Sequence, residues 1–187
     1  VYRLIGTLKE TIRRPTMYVD VAAEHLEINP FTAIGTDTFL ITAGTSDRFN
    51  TMTASWGAMG HLWGRNTVTL YVRSSRLTHE LLTSSDGFTI SFLPPELKDI
   101  LLWCGKHSGR DWDKMKETGL KVAYIPSPSG GERVTFKQAA LVFSCTKAAV
   151  VPLEKSSFVL PEIEEHYKDG DYHTMIIGFV DSILANQ

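Results

Sequence analysis

Phe49 to Gly64, FNTMTASWGAMGHLWG, joins a run of alternating hydroxyls to a glycine-punctuated segment that keeps large apolar side chains. If Thr51 to Trp56 is extended, Thr51, Thr53 and Ser55 share one face and Met52, Ala54 and Trp56 the other, because strand side chains alternate with period two. Gly57, Gly60 and Gly64 then predict a loop whose backbone a ligand or a second chain can approach closely. The same residues also read as a surface Thr ladder on an edge strand, since Thr is an ordinary strand residue. What decides between the two is the company this stretch keeps.

Working outward, Phe31–Ile34, Thr38–Ala43, Asn50–Trp56 and Thr67–Val72 are short Thr- and β-branched-rich runs separated by Gly, Asp and Ser, which predicts consecutive strands. Ahead of them, Ala22–Glu27 reads as one helical turn and Asn29-Pro30 as a turn. Residues Thr78–Leu82 predict a short helix with Thr78 near its N-cap. That leaves Arg76 just outside a helix N-terminus, where unpaired N–H groups favour an anion.

Phe88–Leu93 alternates as a strand, and Pro94-Pro95 opens a helix that runs to Cys104 and is closed by Gly105. Beyond it, Ser108 or Asp111 is the candidate cap of a further helix that puts Arg110 and Lys114 on one face, with Gly119 as its C′ residue. Val122–Ile125 predicts a strand and Pro126–Glu132 a loop. Ala139–Ala149 reads as a strand, although a helix is an open alternative. Pro152–Tyr167 is irregular, with Phe158 and Leu160 expected to point inward, and Tyr172–Leu184 is the closing strand. Val1–Asp20 reads as an extension packed on a mainly β domain that spans 21–187.

The 187 residues are 43% hydrophobic and 21% charged, enough apolar content for one sizeable core. A formal net charge of -2 provides no basic footprint for nucleic acid. Cys104 and Cys145 are not in CxxC spacing, so neither a zinc site nor a disulfide framework is signalled, and a reducing cytoplasm is the expected compartment. No apolar run is long enough to span a bilayer. His25, His61, His79, His107, His166 and His173 form no i,i+3 or i,i+4 pair, and no metal site is expected. Cys104 on an apolar helix face reads as a small buried hydrophobe. His173 either faces a ligand or fills the core.

Three islands, NTMTASWG at Asn50–Gly57, VRSSRLTHELL at Val72–Leu82 and CGKHSGRDWDKMKETGL at Cys104–Leu120, together resemble the flavin reductase-like, FMN-binding split-barrel family that includes the flavoredoxins. NPFTAIGTDTFLITAG upstream and DYHTMIIGFV near the end agree in order and spacing, so the resemblance covers about Asn29 to the C-terminus. It implies a split β-barrel of Greek-key type with a few helices, FMN as cofactor, and a homodimer with the flavin near the subunit interface.

The resemblance places Asn50 and Trp56 near the isoalloxazine ring, and Thr53, Ala54 and Ser55 along the ring edge and ribityl chain. Ser74, Arg76, Thr78, Gly109, Arg110 and Lys114 fall on the phosphate side. With Thr51 and Met52 from the same strand, these are the candidate cofactor residues. Where family members often carry Pro and Tyr, this chain has Ser75 and Leu77.

The residues themselves suit a flavin mononucleotide, which needs an apolar slot, polar groups along one edge and compensation for a phosphate. The redox chemistry belongs to the flavin, so no catalytic acid or nucleophile is assigned in the protein. Two functions follow. One is an oxidoreductase that takes electrons from NAD(P)H or a redox protein; the other is a flavoredoxin-like carrier without turnover of its own. There is no GxGxxG after a strand, hence no separate dinucleotide site.

Overall fold

Strand β2 (Phe39–Gly44) is buried on both sides, and this fixes its place in the middle of the molecule. Phe39, Ile41 and Ala43 enter one core cluster with Phe88, Ile90, Phe143 and Ile176, while Leu40 enters a second with Leu101, Phe136 and Val142. A strand buried on both faces reads as a continuous hydrophobic run. The structure is a computed structural model and describes residues 18–186.

The remaining strands are β1 (Tyr18–Asp20), β3 (Phe49–Ala54), β4 (Gly57–Leu62), β5 (Arg65–Arg73), β6 (Gly87–Phe92), β7 (Val122–Pro126), β8 (Glu132–Phe136), β9 (Leu141–Pro152) and β10 (His173–Asn186). One sheet runs β3-β2-β6-β9-β10-β5-β4, with every neighbouring pair antiparallel. Strands β3 and β4 are its two ends, so the barrel stays open between them. The fold is a split β-barrel. Short β1 adds to β10 beyond the part that β5 covers, pairing Tyr18 with Asn186. The rest of the expected extension, residues 1–17, lies outside the described residues.

Hairpin β7–β8 closes the far side. The polar face of β6 meets it: Thr89 donates to the Val134 carbonyl at 2.6 Å, and Ser91 and Thr135 share a 3.0 Å bond. Arg133 of β8 is 4% exposed and ion-pairs with Asp181 at 2.6 Å. Asp181 sits where the register of β10 shifts against β9, a bulge that turns its carboxylate to the guanidinium.

Four expected elements come out differently. Phe31–Ile34 is helical, not extended: α1 (Pro30–Thr32) starts at Asn29, whose side chain accepts from the Phe31 amide, with Pro30 at the first helical position, and it continues into a π turn at Ala33–Asp37. The Gly57–Gly64 loop is instead β4 plus a two-residue turn, since Leu62 pairs with Arg65 and both Trp63 (φ 52°) and Gly64 (φ 71°) are left-handed, as a type I′ hairpin requires. Helix α3 (Lys98–Lys106) passes through Gly105 and ends at His107, while α4 (Lys114–Thr118) is capped by Asp113, which accepts from the amides of Met115 and Lys116. Arg110 therefore precedes α4 and shares no helical face with Lys114. Leu160 is 53% exposed, against the expectation that it points inward.

Candidate functional site

The opening between the sheet ends is where the cavities lie. Ser55 and Trp56 bridge β3 to β4, and β5 runs three residues past the end of β4, from Tyr71 to Arg73. A polar cavity of about 260 Å³ fills this seam, lined by Met52, Thr53, Ala54, Ser55 and Trp56 on one side and Tyr71, Arg73, Arg76 and His173 on the other. A larger cavity of about 640 Å³ adjoins it, sharing Ser55, Trp56 and Tyr71. Its other walls are almost wholly apolar, from Phe31 and Ile34 of the capped turn, Ala58 and Met59 of β4, and Leu153, Phe158, Ile163 and Tyr167 of the segment between β9 and β10.

Aromatic contacts fix the dividing wall. Trp56 packs on His173 with centroids 4.7 Å apart and meets His166 edge-on at 5.4 Å. Tyr167 stacks on both Phe158 and Tyr172, which also stack on each other, and its hydroxyl and His173 Nδ1 lie 3.0 Å apart. Burial above all, with the positive charge of Arg73 next, pushes His173 down to about 4, so its imidazole is neutral at pH 7.

Arg73 and Arg76 line the same cavity in different states. Arg73 donates to the carbonyls of His166 and Asp171 at 2.8 Å and pairs with Asp169, which ties the segment between β9 and β10 to the sheet. Among the described residues, no side-chain hydrogen bond or ion pair holds the Arg76 guanidinium. It is the N-cap residue of α2 (Leu77–Ser84), beside that helix's first amides.

Of the sequence candidates, Met52, Thr53, Ala54, Ser55, Trp56 and Arg76 come together on the cavity. The others stand behind or beside it. Thr51 is 1% exposed and bonds to the Ile41 carbonyl and Thr42, so the hydroxyl row does not face a ligand at that end. Thr53 donates to the Leu101 carbonyl of α3 at 2.6 Å. Asn50 donates to the buried Thr78 hydroxyl at 2.8 Å and packs against Gly109, joining the three islands in one interior contact. Lys114 is not on a phosphate path: it is 6% exposed, and its ammonium is held by the carbonyls of Thr51 and Cys104 at 2.8 and 2.9 Å. Burial first, then the charge of Arg76, lowers its pKa. Ser74 donates to Asp171, while Arg110 bonds the Ser75 carbonyl and Glu80.

The sequence marks none of Tyr71, Arg73, Ile163 and Tyr167 as site residues, and it marks Phe158 only as pointing inward. Tyr71 and Arg73 continue the alternation of TVTLYVR, which was a legible signal; the other three lie in an irregular stretch without period. Among the described residues no His, Cys, Asp or Glu cluster could hold a metal, and no helix is long and apolar enough to cross a membrane.

The family model described as Flavin reductase like domain matches residues 31–185. The chain belongs to this family. Solved structures agree on the fold. An FMN-binding domain of a flavin reductases-like enzyme from Shewanella baltica superposes with TM-score 0.63 at 15% identity, covering 90% of this chain and 77% of that one. Flavoredoxin of Desulfovibrio vulgaris gives 0.61 at 18%, covering 81% and 70%. The FMN-binding protein from Thermus thermophilus gives 0.58 at 20%, covering 96% and 79%. No curated protein matches the chain.

The seam of this flavin reductase-like protein fits a flavin by its donor set. It offers an apolar cavity beside a polar one, a tryptophan and a tyrosine common to both, and an uncommitted guanidinium at a helix start.

Proposed function

We propose that this protein is an FMN-dependent oxidoreductase whose flavin spans the two cavities, ring toward the apolar one and phosphate toward Arg76. One observation carries this reading: a large apolar cavity and a small cationic one share Ser55, Trp56 and Tyr71 as a common wall. When bound, FMN supplies hydride and single-electron transfer between NAD(P)H or a redox protein and an acceptor. Arg76 and the first amides of α2 hold the phosphate. Trp56 and Tyr71 flank the ring, and Phe158, Ile163 and Tyr167 keep water from it. His173 stays neutral at pH 7 and orients Tyr167 through its Nδ1 contact.

A flavoredoxin-like carrier is the second reading, and it draws support from the larger cavity, where no lining residue is Lys or Arg to meet a dinucleotide pyrophosphate. A homodimer belongs to the same proposal, because edge strand β4 and the turn after it present Leu62 and Trp63, 39% and 61% exposed. Two free buried cysteines suit a reducing cytoplasm.

Flavin-fluorescence titration tests the cofactor. FMN is expected to bind more tightly than FAD, and failure to bind FMN at all overturns the proposal. Anaerobic stopped-flow with NADH and NADPH then separates the functions, rapid bleaching of bound flavin marking the reductase and none marking the carrier.

A further inference from the structure

Asp171 closes the turn after β5 with its carboxylate. Ser74 Oγ donates to Oδ1 at 2.9 Å, the Ser75 amide donates to Oδ1 at 3.2 Å, and Ser75 Oγ donates to Oδ2 at 2.6 Å. Arg73 Nη1 stands 3.9 Å from Oδ2. Two hydroxyls, an amide and a guanidinium around one carboxylate are the donor set of an anion site, and here the anion is the protein's own. Burial acts to raise the Asp171 pKa, but the bonds from Ser75 and Ser74 and the charge of Arg73 outweigh it and hold the group ionised below the ordinary carboxylate range.

A serine hydroxyl has one proton to donate. While Asp171 keeps both, neither Ser74 nor Ser75 can donate to a second anion. The next residue in the chain is Arg76, whose guanidinium lines the polar cavity. Any phosphate on Arg76 therefore stands one residue along the chain from the turn that carries the Asp171 carboxylate, and finds the hydroxyls of Ser74 and Ser75 already used.

We propose that Asp171 is a specificity-determining residue that holds down the preference of this protein for phosphorylated over unphosphorylated flavin. The inference rests on the reading of Arg76 as the phosphate partner. Riboflavin, which has no phosphate, is indifferent to Asp171, whereas FMN is opposed by it.

The test compares FMN and riboflavin dissociation constants, by quenching of flavin fluorescence, in the wild type, Asp171→Asn, Asp171→Ser and Asp171→Glu. Removing the charge in the Asn and Ser variants should raise the preference for FMN on the order of tenfold, the scale of one nearby charge close to a protein surface. Riboflavin affinity should stay unchanged, and Glu should retain the wild-type ratio. A preference unchanged or reduced in both uncharged variants overturns the inference alone. Equal affinity for FMN and riboflavin in the wild type and all variants overturns the phosphate reading with it.

Discussion

Arg76 and Lys114 carry the same charge into opposite surroundings. Arg76→Ala removes a guanidinium that no described residue holds by a hydrogen bond or ion pair, so stability should hold while FMN affinity falls by about one to two decades, the worth of a charge-assisted bond of roughly 1.5–3 kcal/mol. Lys114→Met should do the reverse. It strands the carbonyls of Thr51 and Cys104 and is expected to cost about 2 kcal/mol of stability with little direct effect on FMN affinity. Urea unfolding beside flavin titration reads both. His173 adds a pH dependence. The unfolded chain binds its proton near 6.5 and the folded one only near 4, so stability is full above 6.5 and declines as pH falls through that window. His79, lowered mainly by burial, works in the same direction. His173→Gln should flatten the fall in urea midpoint between those two values, while an unchanged slope would assign it to other groups.

At the scale of elements, the contact to test is the one where the segment linking α3 to α4 crosses β3 and α2. A Cβ on Gly109 would lie 2.0 Å from Asn50 Oδ1, closer than atoms can approach, so Gly109→Ala must displace Asn50 from Thr78. A loss of about 1–3 kcal/mol is expected in chemical denaturation. Strands β2, β5, β6 and β10 were legible because they carry period-two or continuous apolar patterns. The seam was half legible: Met52–Trp56 and Arg76 have a pattern or a helix start to announce them, whereas Lys114, a surface residue by type, gives no local sign of being drawn under β3. Hairpin β4–β5 was hidden because Trp63 occupies a left-handed position that a non-glycine residue rarely takes. Pro30 signalled a break where it in fact begins a helix, since the same fixed φ serves both.

For the whole molecule, the proposed dimer predicts that Trp63→Asp gives a monomer in sedimentation, with flavin binding lost in parallel. Trp63 meets Phe179 edge-on at 6.1 Å but leaves most of its surface outside, an arrangement suited to a partner chain. A wild type that is monomeric at micromolar concentration excludes that interface. The open seam has a further consequence, for descent. Most residues facing the two cavities come from strand ends, from the capped turn at Pro30 and from the segment between β9 and β10; of them only Ile34, Ala54, Tyr167 and His173 are buried. The closely packed interior of β2, β6 and β9 supplies none. Replacements that reshape the chamber therefore draw little on folding stability, and a lineage can exchange one substrate for another by drift along the slit while the barrel behind it is inherited unchanged.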